Sequence, residues 1–163
     1  MSYAKRISLY GVLCALCLIF GYIETLIPVV YFIPGMKIGL ANIVVLFALY
    51  RLGVGAAVMI NAIRIALSAV LFGSVISFAF ALCGGTLALL CMIGLKKADV
   101  FSVTAVSVCA AVAHNLGQIA VAAVVLSGYV YGFLPFLIIS GAVCGLLTGV
   151  AGAVMIRRIR VER

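Results

Sequence analysis

The chain has 163 residues, of which 68% are hydrophobic and 9% charged, with a mean hydropathy of +1.46 and a net charge of +8. A water-soluble domain of this size carries roughly a quarter charged residues, so the composition excludes one and points to an integral membrane protein. The positive charge gathers at the ends of apolar stretches rather than on a soluble basic face, which excludes nucleic acid as a partner.

The first predicted helix covers about residues 7–27, preceded by Lys5 and Arg6. No small-x-small cleavage site follows, so it reads as an uncleaved membrane helix. Pro28 and Pro34 then mark a loop. A short second helix is expected over 38–50, with Arg51, Gly53 and Gly55 turning the chain into a third over 54–72. Gly73 and Ser74 separate it from a fourth over 75–95, and Lys96-Lys97-Ala98-Asp99 is the clearest polar loop. The fifth is expected over 101–126 and the sixth over 134–156, with Pro135 in its first turn, where a missing N–H is harmless. At ~20 residues per span, six helices and short turns use the whole length as one domain. Six spans with the N-terminus in the cytoplasm place nine of the eleven Lys and Arg on the inner side, leaving only Lys37 outside and Arg64 within the membrane. Both termini are therefore expected in the cytoplasm.

Polar groups in hydrocarbon are costly and mark candidate sites. Glu24, Asn42, Asn61, Arg64, His114 and Gln118 stand out, with Asn115 a lesser seventh and Lys37 at the outer lip. Counting ~1.5 Å per residue, Arg64 and Gln118 lie ~12 Å below the outer surface. Asn61 and His114 follow one turn deeper on the same faces, and Asn42 and Glu24 enter at ~5 Å. Together they predict a cavity that opens outward. Arg64 keeps its proton and needs an anion. Glu24 fits either a structural pair with Arg64 or a part of the site. The excess of positive charge favours an anionic or zwitterionic ligand.

The six cysteines fall in apolar stretches and read as small hydrophobes, the Cys14/Cys17 pair included. One His without neighbouring Cys or Asp argues against a metal. Tyr31, Phe32, Tyr129 and Tyr131 lie in outer loops, as an interface belt or as a lid on a planar ligand. Gly141, Gly145, Gly149 and Ala153 recur every four residues on the sixth helix, and Gly11 and Ala15 share that spacing on the first. Such seams pack helices closely, either within the bundle or against a partner protein. No Gly-x-x-x-x-Gly-Lys-[Ser/Thr], Gly-x-Ser-x-Gly or His-Glu-x-x-His occurs, and Asp99 is the only aspartate. Neither an enzyme nor a bound cofactor is expected.

The segments Pro34-Gly-Met-Lys-Ile-Gly-Leu-Ala-Asn42 and Ala113-His-Asn-Leu-Gly-Gln118 resemble signatures of a bacterial family called Gx transporter or heptaprenyl diphosphate synthase component I. The resemblance extends over nearly the whole chain, including Arg64 and the Phe72-Gly73 turn. That family is similar to the S components of energy-coupling-factor transporters. The resemblance implies a six-helix substrate-binding subunit in the bacterial cytoplasmic membrane, which binds a vitamin-like solute from outside and docks on a transmembrane coupling subunit with two ATPases. S components carry Ala-x-x-x-Ala on the first helix for docking, where this chain has Gly11-x-x-x-Ala15. The family also implies two rival roles: a membrane subunit of an extracytoplasmic flavin or redox electron-transfer assembly, and an isoprenoid-biosynthesis accessory subunit.

Overall fold

Backbone N–H and C=O groups in hydrocarbon must be satisfied within the protein, and apolar stretches of this length meet that demand as helices. The computed structural model describes residues 3–26, 38–72, 75–126 and 132–159, and it is all-helical over them. The elements are α1 (Tyr3–Leu26), α2 (Leu40–Arg51), α3 (Val54–Phe72), α4 (Val75–Ala98), α5 (Val103–Leu126) and α6 (Leu134–Arg158). Five of them, all but α2, are long and apolar enough to cross a membrane, so the chain is a helical membrane protein.

The second helix departs from the sequence expectation. At 12 residues it measures about 18 Å, well short of the ~30 Å hydrocarbon core. Every residue from Ala41 to Leu49 is buried, as befits a helix that is apolar all round. It packs against α1, α3, α4 and α6, and the longer helices neighbour one another in the order α1, α3, α4, α5, α6. Thus α2 is an internal plug rather than a full span. Around it, Leu13, Cys17, Ile60, Ala88, Leu89, Met92, Val106 and Ala110 form the core with α2's Val44–Leu49. Large apolar side chains such as Val70, Leu90, Val124 and Leu147 stand on the outside, where a bilayer would cover them.

Local chemistry sets the boundaries. Gly39 takes the left-handed φ of 84° just before α2. Gly53, at φ 101°, ends the turn after α2, where its N–H and that of Leu52 both reach the Ala48 carbonyl at 3.0 and 2.8 Å. Ser102 caps α5 by accepting from the Ala105 N–H at 3.2 Å. Pro135 sits in the first turn of α6, as expected. Lys96 and Lys97 belong to the last turn of α4 instead of a loop, because a helix C-terminus favours cations.

That cationic end ties three helices together. The Lys96 ammonium donates to the Leu49 carbonyl at 2.5 Å and lies 5.0 Å from the centre of the Tyr50 ring. The Arg51 guanidinium donates to the Ile156 carbonyl near the end of α6. The C-terminal ends of α2, α4 and α6 therefore meet at one basic end of the bundle.

Candidate functional site

Glu24, near the end of α1, is 7% exposed. Its Oε1 accepts from the backbone N–H of Gly39 and, at 2.9 Å, from that of Leu40. These are N–H groups that a helix start leaves without intrahelical partners, and a carboxylate there also opposes the positive end of the helix dipole. Glu24 is thus the cap of α2. Arg64 makes its hydrogen bond to Asn61, and the Glu24 carboxylate acts on its charge through space.

Arg64 and Asn61 lie one turn apart on α3, close enough to touch. Arg64 Nη2 donates to Asn61 Oδ1 at 2.8 Å, and Asn61 Nδ2 donates to the Gly85 carbonyl of α4 at 3.3 Å. Asn61 so fixes the guanidinium against α4. A Cβ added at Gly85 would stand 3.1 Å from Arg64 Nη2, so the glycine makes the room that the cation occupies. Arg64 Nε is buried and has no hydrogen-bond partner.

The neighbouring glycine does the same for α5. A Cβ at Gly84 would stand 3.0 Å from Gln118 Cγ, 3.0 Å from the His114 carbonyl and 3.1 Å from His114 Cε1. Gly117 allows that approach, since its own Cβ would meet the Cys83 carbonyl at 2.8 Å. Gln118 is 1% exposed, and neither its Nε2 nor its Oε1 has a hydrogen-bond partner. Buried polar atoms are almost always bonded, and leaving such a group unmade costs about 1–3 kcal/mol. His114 is also buried, at 5% exposure.

Gly84 and Gly85 share one buried stripe of α4 with Ala88, Leu89 and Met92, the last three packing in the core around α2. Two polar pairs, Asn61/Arg64 and His114/Gln118, therefore flank adjacent positions on the inward side of α4. Gly85 lies about 16 Å along α4 from Lys96, and Leu40 about 14 Å along α2 from Leu49, which Lys96 bonds. The capped start of α2, with Asn42 in its first turn, thus reaches about the level of the glycine pair along the bundle.

Other expectations resolve differently. The α6 seam is covered by α5: Cβ atoms at Gly141, Gly145 and Gly149 would meet Asn115 Nδ2, Val108 Cα and Ser107 Cβ at 2.8, 2.7 and 2.9 Å. These glycines pack inside the bundle, the first of the two readings of that seam; Ala153 is half-buried. Asn115 supports the same contact by donating to the Leu137 carbonyl at 2.7 Å, and Ser107 and Thr148 meet at 3.2 Å. Gly11 and Ala15 are exposed, with nothing within 4 Å of a Cβ at Gly11. Cys17 packs in the core, its thiol 3.8 Å from the Ala41 carbonyl. Among the described residues no three His, Cys, Asp or Glu side chains cluster as metal ligands. Lys37, Tyr31, Phe32, Tyr129 and Tyr131 lie outside the described residues.

Sequence reasoning missed Gly84 and Gly85. Their signal was available, because glycine weakens a helix interior and an adjacent pair there marks close approach by a neighbour.

No curated protein and no solved structure matches the chain. A family model matches residues 13–155, a stretch that runs from the first helix into the last and takes in Glu24, the glycine pair of α4 and both polar pairs. On that match the chain belongs to the family described as heptaprenyl diphosphate synthase component I.

Proposed function

We propose that the chain is a membrane subunit that binds a small anionic solute of vitamin or cofactor type for import, with ATP hydrolysis supplied by partner proteins. One observation carries the proposal: the buried Gln118 amide offers both its donor and its acceptor without a partner, beside a glycine pair whose other flank holds Arg64. A structural core has little use for an unmade buried amide, whereas a binding site needs one. Arg64 stays protonated in a low-dielectric setting, and its planar fork suits carboxylate or phosphate. Glu24 caps α2, and the Arg64 guanidinium bonds to the neutral Asn61 amide rather than to a carboxylate.

The basic end, with Lys96, Lys97, Arg157 and Arg158, would face the cytoplasm of a bacterial cell. Solute would then enter from the opposite side. The open face of α1 at Gly11 and Ala15 is the place for a coupling partner to dock. A role in a multi-part system also fits the family description, which names a component. With Asp99 as its only aspartate, the chain is not itself the prenyl-transferring catalyst.

The test is to purify the protein in mild detergent and identify its bound small molecules by mass spectrometry, beside Arg64→Ala. The expected result is an anionic molecule on the wild type, with occupancy at least about tenfold lower on the variant, a loss of roughly 1.4 kcal/mol in binding. Equal occupancy on Arg64→Ala contradicts the site.

A further inference from the structure

Given a site for an anionic solute, the second half of that solute is written in Gln118. A primary amide presents an acceptor and a donor side by side in one plane. Its complement is an H–N–C=O edge, which it holds through two parallel hydrogen bonds, in the way Asn and Gln pair with the donor–acceptor edge of a base. Gln118 is 1% exposed, and both atoms of that pair are buried and have no hydrogen-bond partner in the protein. Its Cγ is braced against Gly84, which limits where the amide can swing. On the adjoining position of α4, Gly85 receives Arg64, whose Nη2 is held by Asn61 and whose buried Nε has no partner.

We propose that Gln118 reads a cyclic amide, imide or ureide edge of the solute, while Arg64 holds its anionic group. The specificity rests on Gln118, because an analogue without the edge leaves the amide buried and unmade again, a difference that discriminates strongly. The affinity for any anion rests on Arg64. The inference depends on the anion-binding role above, and its failure can be told apart from the failure of that role.

The experiment uses the full chain in lipid nanodiscs and three probes: uridine 5′-monophosphate with both groups, uridine with the edge alone, and ribose 5-phosphate with the anion alone. Binding is read as ligand-induced thermal stabilisation and as equilibrium affinity. The expected order places uridine 5′-monophosphate at least about tenfold tighter than either fragment. Gln118→Leu should reduce it to the level of ribose 5-phosphate, and Arg64→Ala to the level of uridine. Gln118→Leu should also be as thermally stable as the wild type, or more so, without probe, since an apolar side chain removes an unmade polar group. Equal binding of ribose 5-phosphate and uridine 5′-monophosphate, unaffected by Gln118→Leu, overturns the role of Gln118 and leaves anion binding intact. Binding that follows the uridine edge but ignores the phosphate and Arg64→Ala overturns anion binding. Failure of all three probes overturns both. A Gln118→Leu protein that unfolds well below the wild type shows a structural amide, and that also overturns the inference.

Discussion

At Glu24 the choice between two roles turns on what the oxygen does. As a cap, Oε1 needs only to accept from the Gly39 and Leu40 N–H groups, and Gln keeps an acceptor at the same reach. Glu24→Ala should therefore destabilise the purified protein by about 1–2 kcal/mol, and Glu24→Gln by less than half as much, read from thermal unfolding in detergent. Equal losses in the two variants would show that charge, and not capping, is the contribution of Glu24. That glutamate, and Asn61, Arg64, His114 and Gln118, were all legible in the sequence as polar residues where none should lie. Their partners were not. Nothing in the spacing of Glu24 foretells that it folds onto Gly39 across an intervening segment, and the link depends on where α2 begins.

At the level of helices, small residues decide how closely backbones approach, because burial against lipid supplies little drive of its own. The α5–α6 contact depends on Gly145, where an added Cβ would lie 2.7 Å from Val108 Cα. A backbone atom cannot step aside as a flexible side chain can, so Gly145→Ala should cost about 1–3 kcal/mol through overpacking. Gly11→Ala, in open space on α1, should stay within about 0.5 kcal/mol of the wild type. Melting temperatures of the two variants by size-exclusion thermostability check the contrast, and a neutral Gly145→Ala would contradict the close crossing. The repeat of small residues on α6 was visible in the sequence, but it could not say which helix fills it. The same limit applied to α2: its apolar run read as a span, and only the cap at its start and the helices around it mark it as a plug.

For the molecule as a whole, the clustering of Arg51, Lys96, Lys97, Arg157 and Arg158 at one end gives the proposed orientation a direct test. In a cysteine-depleted background, Lys97→Cys should resist a membrane-impermeant maleimide in intact cells and react after lysis. Labelling in intact cells would reverse the orientation. The number and order of helices were readable because hydropathy and charge both report on the bilayer. The site was readable only in part, because the depth of a side chain follows from residue counting whereas its facing follows from packing. Gly84 and Gly85 supply that missing information by letting two polar pairs converge on one stripe of α4. Their role is open to a matched comparison along the same helix. Gly85→Ala puts a methyl 3.1 Å from Arg64 Nη2, whereas Gly94→Ala meets nothing within 4 Å. With both variants purified as folded proteins, the amount of co-purified anionic solute should fall about tenfold for Gly85→Ala, roughly 1.4 kcal/mol, and match the wild type for Gly94→Ala. Undiminished solute on Gly85→Ala would contradict a binding site at the glycine pair.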